Sequence, residues 1–252
     1  MSDFWDKDIA TLDISEFEKN GLQVHRNYQR SFAENEIKTY FKEIDARKID
    51  LSRLEIVLKL INSEELRLLP IIVCAFVDEC LNTMYKRDLP NNVIGGRSSM
   101  LNGFGSLSSL SHRIQFASAA RWISADILWE ADALRKLRNN IAHSWEQEAI
   151  KGKIAEHIEG KMFKFEKLLD ESQLSDLTAH VVGHPELLFR LRTIWLIGRI
   201  FYEAEVFPGA PRRLVDNPEY YHTKRAPKLL GEIVNLCLAS SDRLKVSKAN
   251  PI

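Results

Sequence analysis

The chain of 252 residues carries 35 Lys plus Arg against 35 Asp plus Glu, so its formal net charge is zero. Its hydrophobic share is 45% and it holds 3 cysteines, enough apolar material for a large core without disulfide staples. These figures exclude a cystine-rich secreted scaffold and a uniformly basic coat for nucleic acid; any positive surface must be local.

In chain order, the segment from Asp3 to Gly21 reads as a short acidic lead, and Met1 to Ala10 carries three Asp and no long apolar run, so no signal peptide is expected. Ser31 to Arg47 predicts a helix, because Phe32, Ile37, Tyr40, Phe41 and Ile44 fall near the i, i+3, i+4 pattern. Leu51 to Leu60 repeats the pattern. Ser63 with Glu64 and Glu65 reads as the capped opening of a helix that runs to Arg87, Pro70 marking either a kink or a late start. The apolar middle of that helix suits a central position, and Cys74 and Cys80 within it read as small buried hydrophobes. Leu66 to Val77 is too short to span a bilayer, so no membrane association and a cytoplasmic location are expected.

Pro90 to Gly105 is irregular and glycine-rich. It lacks the P-loop spacing and follows no strand signal, so a connector is the better reading than a phosphate cradle. Helices are predicted over Ser106–Trp122, Ala125–Ala142 (with Ser124 as cap), Glu146–Leu169, Leu187–Val206 and Ala226–Leu244. Phe207 to Pro227 reads as an exposed proline-rich loop. No alternating pattern with hairpin turns appears, and the expected fold class is all-α.

The densest chemistry lies in Arg138-Asn139-Asn140-Ile141-Ala142-His143, at the end of the Ala125–Ala142 helix. A guanidinium grips phosphate oxygens with fixed donors, and an imidazole exchanges protons near neutral pH. The bland alternative is a histidine resting near the carbonyl end of a helix dipole. Residues five apart on an ideal helix splay by about 140°, so one copy does not bring Arg138 and His143 onto one phosphate. Two facing copies, or a bend at the helix end, would do so.

This pattern resembles the signature of the HEPN superfamily: an Arg, a few residues, then a His near a helix end. Asn139 directly after the Arg resembles its nucleolytic members. The surrounding residues narrow the likeness. Gly103-Phe104-Gly105-Ser106-Leu107, Ser111-His112-Arg113-Ile114, Trp122-Ile123-Ser124 and Leu134-Arg135-Lys136-Leu137-Arg138 are similar to the mannitol operon repressor family of that superfamily. The likeness covers roughly Leu66 to Trp145. It implies a HEPN-type helical bundle, with a core over 61–206, a helical extension over 1–60 and a loop and helix over 207–252.

For function it implies a metal-independent endoribonuclease of the defence or toxin kind. His143 would be the acid or base, Arg138 the phosphate ligand, and Asn139 would orient His143 or hold a phosphate oxygen. Arg113 and Arg135 become candidate RNA contacts, an ion pair to Asp126, Glu130 or Asp132 being the equal alternative for Arg113. The implied partners are RNA, a second copy of the chain, and an antitoxin or regulatory protein. The same likeness allows a non-catalytic transcriptional regulator acting through protein contacts.

No cofactor or metal is expected. His180 and His184 have a zinc-compatible spacing, but Gly183 and Pro185 interrupt the helix and no third ligand is evident. Arg212, Arg213, Lys224, Arg225 and Lys228 surround Tyr220, Tyr221 and His222, a pattern able to hold a single strand; a solvated face is the preferred reading. Trp122, Trp129, Trp145 and Trp195 are assigned to the core or an interface.

Overall fold

A computed structural model describes residues 4–159, 175, 177, 179, 181, 183–206 and 227–246. The described residues are helical with no strand, as an all-α chain requires. In chain order they form α1 (Lys7–Ala10), α2 (Glu16–Ala46), α3 (Ser52–Ser63), α4 (Leu69–Asp88), α5 (Arg97–Leu101), α6 (Leu110–Ala119), α7 (Ala125–Ala142), α8 (Gln147–Glu159), α9 (Pro185–Val206) and α10 (Lys228–Val246).

Several boundaries differ from the sequence reading. The acidic lead is largely helix: α2 starts at Glu16 under a capping box in which Ser15 Oγ accepts from the Glu18 N–H and the Glu18 carboxylate accepts from the Ser15 N–H. Ser63 closes α3 instead of opening α4. Pro70 takes the late-start option, standing in the first turn of α4 where its missing N–H costs nothing. The connector after Pro90 contains the short α5. The proline-rich segment over 207–226 lies outside the described residues.

The central helix is α9, which packs against α3, α4, α7, α8 and α10 and is buried almost throughout. Helix α4, expected to be central, packs against α3, α5, α6, α7 and α9 and turns only a narrow face with Ile71 and Ala75 to the surface. Helix α10 approaches α9 closely at Gly198, where a Cβ would come within 2.5 Å of Cys237 Sγ. One continuous core takes in Phe41 and Leu54 from the N-terminal helices and Ile233 and Cys237 from α10. Tyr85, Phe116 and Trp122 pack their rings 5.6–6.0 Å apart where α4 meets α6 and the entry to α7.

Within its apolar surroundings α9 carries Arg192, Arg199 and Glu203, each at most 1% exposed. They are spaced 7 and 4 apart, which places them on one face. Arg199 reaches Asp126 at 2.8 Å and Glu203 at 3.1 Å. Glu203 in turn accepts from the Ser124 backbone N–H at 2.7 Å and from its hydroxyl at 2.8 Å. Ser124 thus stands at the N-cap position of α7, but its hydroxyl donates to Glu203 instead of capping the helix itself. A carboxylate is well placed there, since the first turn of a helix carries unpaired N–H groups and the positive end of the dipole. One turn further, Arg192 reaches Glu130 at 2.7 Å and the Ile158 carbonyl at 3.0 Å, and the His157 ring lies 3.1 Å from the other Glu130 oxygen.

Removing one member of a buried ion pair strands its partner. Glu203→Ala should therefore destabilise the fold by about 3–5 kcal/mol, whereas Glu203→Gln, which keeps one acceptor oxygen for the Ser124 N–H, should cost less. Urea denaturation of both variants checks the order.

Candidate functional site

The hexapeptide occupies the C-terminal end of α7, with His143 as the C-cap residue. Helix α7 is amphipathic: Ile127, Leu128, Ala131, Leu134, Leu137 and Ile141 are buried, while Trp129, Lys136, Asn139, Asn140 and His143 face outward. Arg138 lies half-buried on the flank between these faces, together with Arg135.

That flank runs along the N-terminal half of α4. The charges of Arg138 and Arg135 act on the Cys74 thiol, which burial nonetheless pushes up to about 11. Cys74 is therefore a neutral thiol at physiological pH, unsuited to nucleophilic work. Beside it, α4 presents Leu68, Ile71 and Ala75 as an exposed apolar strip.

A few side-chain contacts define the motif itself. Arg138 donates through Nε and Nη2 to Asn139 Oδ1 at 3.2 and 3.0 Å. Asn139 is thus engaged with Arg138, a contact that neither of the roles expected for it, orienting His143 or holding a phosphate oxygen, anticipates. Lys153 of α8 donates from Nζ to the Asn140 carbonyl at 2.8 Å and also bonds Ser144 Oγ. A cation at a helix C-terminus satisfies the terminal carbonyls and favours the dipole; Lys153 fills that role here. The His143 ring is exposed and engages no other described residue. His143 itself stands at the helix end as its C-cap, where the bland reading places it, and Lys153 supplies a second cation there.

Arg113 and Arg135 stand in different circumstances. Arg113 is 5% exposed. It pairs with Asp78 at 2.7 Å and donates to the Leu107 and Leu101 carbonyls at 2.8 and 3.2 Å. It fastens the glycine-rich connector to α4 and α6 and has no donor facing the motif surface. Its ion pair is with Asp78, not with any of the carboxylates expected, because Asp126 is held by Arg199, Glu130 by Arg192 and Asp132 by Arg135 and Lys136. The connector it holds is tightly folded: a Cβ on Gly105 would lie 2.0 Å from the Ser99 carbonyl oxygen, which explains a glycine there without any phosphate. Arg135 is half-buried and bonded to Asp132 at 2.8 Å. Burial tends to raise the Asp132 pKa, but the hydrogen bonds from Lys136 and Arg135 outweigh it and leave the carboxyl below its ordinary value.

Among the described residues no cluster of His, Cys, Asp or Glu could hold a metal ion, and no helix is long and apolar enough to cross a membrane. His180 and the basic–aromatic stretch from Arg212 to Arg225 lie outside the described residues. Of the four tryptophans assigned to core or interface, Trp195 is buried and Trp122 joins the aromatic cluster, while Trp129 and Trp145 are 67% and 83% exposed. Sequence reading missed Lys153, whose link to Asn140 spans 13 residues. No family model matches the chain, and no curated protein or solved structure matches it either.

Arg113 and Arg138 should separate cleanly in stability. Arg113→Ala removes a buried cation and strands Asp78 and two carbonyls, a loss of about 3 kcal/mol. Arg138→Ala removes a half-buried side chain bonded only to its neighbour's amide and should cost under about 1 kcal/mol. Chemical denaturation of the two variants side by side is the check.

Proposed function

We propose that the protein is a metal-independent endoribonuclease of the HEPN type, in which Arg138 of one copy and His143 of a second meet at one phosphate. The observation that carries this reading is the electrostatic state of Arg138. Arg113, Arg135, Arg192 and Arg199 each hold a carboxylate. Arg138 holds only an amide oxygen, so its charge is available to an anion, and the exposed His143 ring lies five residues further along the chain. A second copy is called for because the two side chains leave α7 in different directions. The apolar strip of Leu68, Ile71 and Ala75 beside the motif offers that copy a surface to bury.

In this reading His143 takes the proton from a ribose 2′-OH, whose oxygen attacks the adjacent phosphorus. The bond to the 5′ oxygen breaks and that oxygen gains a proton. The products are a 2′,3′-cyclic phosphate and a 5′-hydroxyl end. Arg138 stabilises the charge that builds on the phosphoryl oxygens, and Asn139 keeps the guanidinium in place. Arg135 is the nearer of the two other arginines for an RNA contact, at the expense of its bond to Asp132.

The second reading is a regulator of the mannitol-repressor type that acts through protein contacts. It is favoured by the same apolar strip, which an antitoxin or other protein could cover in place of a second copy.

His143→Ala and Arg138→Ala should each lower RNA cleavage by about 100-fold or more with melting temperatures unchanged, and wild-type cleavage should persist in excess EDTA. Mixing the two inactive variants gives a sharper test. If they exchange subunits, half the dimers are mixed and each has one intact site, restoring about a quarter of wild-type activity. No recovery in exchanged dimers would place Arg138 and His143 in the same copy. An inactive wild type across varied RNAs would leave the regulator standing.

A further inference from the structure

A concave groove of about 620 Å³ adjoins the motif, formed by the α3–α4 connection, the entry to α8 and the first turns of α9. Trp145, two residues past His143, lines it and is 83% exposed. An indole left in water forgoes the large apolar gain of burial, and this one does so at the rim of a cavity of nucleotide size.

The groove also holds cations in distinct states. Arg190 is fixed by hydrogen bonds to the Ile61 and Glu64 carbonyls at the end of α3, so its charge is held in place. Lys151 is loosely paired with Glu148 at 3.5 Å. Arg67 is exposed and engages no other described side chain. Glu65 and Glu186 also line the groove, which keeps it close to neutral. A groove of that balance does not suit the dense charge of a duplex. It suits a flat ring with one phosphate attached, the ring on the indole and the phosphate on the free guanidinium.

We infer that this groove is a nucleobase subsite for single-stranded RNA, with Trp145 as the stacking platform and Arg67 as the phosphate contact. The inference rests on the endoribonuclease reading for its substrate and deepens it: an unpaired nucleotide next to the scissile phosphate is gripped through its base, so unpaired RNA is the substrate class and double-stranded RNA is not.

The test uses the full-length His143→Ala protein, which leaves RNA uncut, and a short fluorescein-labelled single-stranded RNA followed by anisotropy. Adding Trp145→Ala should weaken binding by about tenfold or more, Trp145→Phe should restore most of it, and Arg67→Ala should flatten the salt dependence. Trp145 and Arg67 are exposed, so melting curves of these variants should match the parent. Unchanged binding in Trp145→Ala, or equal binding of the same sequence as a duplex, would overturn the subsite even if wild type cleaves RNA. Trp145-dependent binding in a protein whose wild type cleaves nothing would keep the subsite and remove the nuclease. An acidic peptide containing an aromatic residue that binds in place of RNA and is released by Trp145→Ala would overturn the subsite and assign the groove to protein recognition.

Discussion

The arrangement of this molecule depends on the buried contact between Glu203 and the N-terminus of α7. Helix α9 crosses the centre of the fold, and through Glu203 and Arg199 it fixes both the backbone of Ser124 and the side chain of Asp126. A buried carboxylate is unfavourable without partners; here it has an arginine, a hydroxyl and a backbone N–H. The result is a directional lock, since only one placement of α7 satisfies all of them. Greasy packing alone would allow α7 to slide or rotate against α9. Arg192 with Glu130 adds a second lock one turn along, and together they fix which face of α7 looks outward.

The two ends of α7 are consequently opposites. Its start is tied to α9 through Ser124 and Asp126, while its finish carries an exposed imidazole and a guanidinium with only a neighbouring amide for company. Lys153 takes over the stabilising duty at that end. Position and chemistry are thereby divided between different residues: α9, α8 and the buried Ile141 hold the helix, and the polar side chains of the motif contribute little to holding it.

Much of this was legible in the chain. The bounds of α7 follow from its apolar period and the serine before it, and the hexapeptide announced itself by composition. The partnerships were not legible. Ser124 reads as an ordinary cap, and nothing local reveals that its hydroxyl is turned to a glutamate on a helix far along the chain. Arg113 carries the same ambiguity. A cation on an amphipathic helix is read equally as a ligand for RNA or an ion pair, and only the packing of α4 shows that Asp78 takes it. The charged residues of α9 did leave a trace, because Arg192, Arg199 and Glu203 recur on one face of an otherwise apolar segment. Charges in that position are affordable only when paired. The late start of α4 at Pro70 was one of two options open to sequence, and tertiary packing selected it.

The pairing of arginines in the interior has a consequence for how the motif face meets its surroundings. The charge of Arg138 is left without a carboxylate partner in a chain whose formal net charge is zero. Such a field fades within roughly a Debye length, about 8 Å at physiological ionic strength. An anionic polymer would feel no pull from a distance and would be sorted only on touching, by its local shape and by the atoms it offers. Encounters at this face should then be slow and selective, with a shallow dependence on salt, unlike the fast and indiscriminate capture practised by strongly basic proteins.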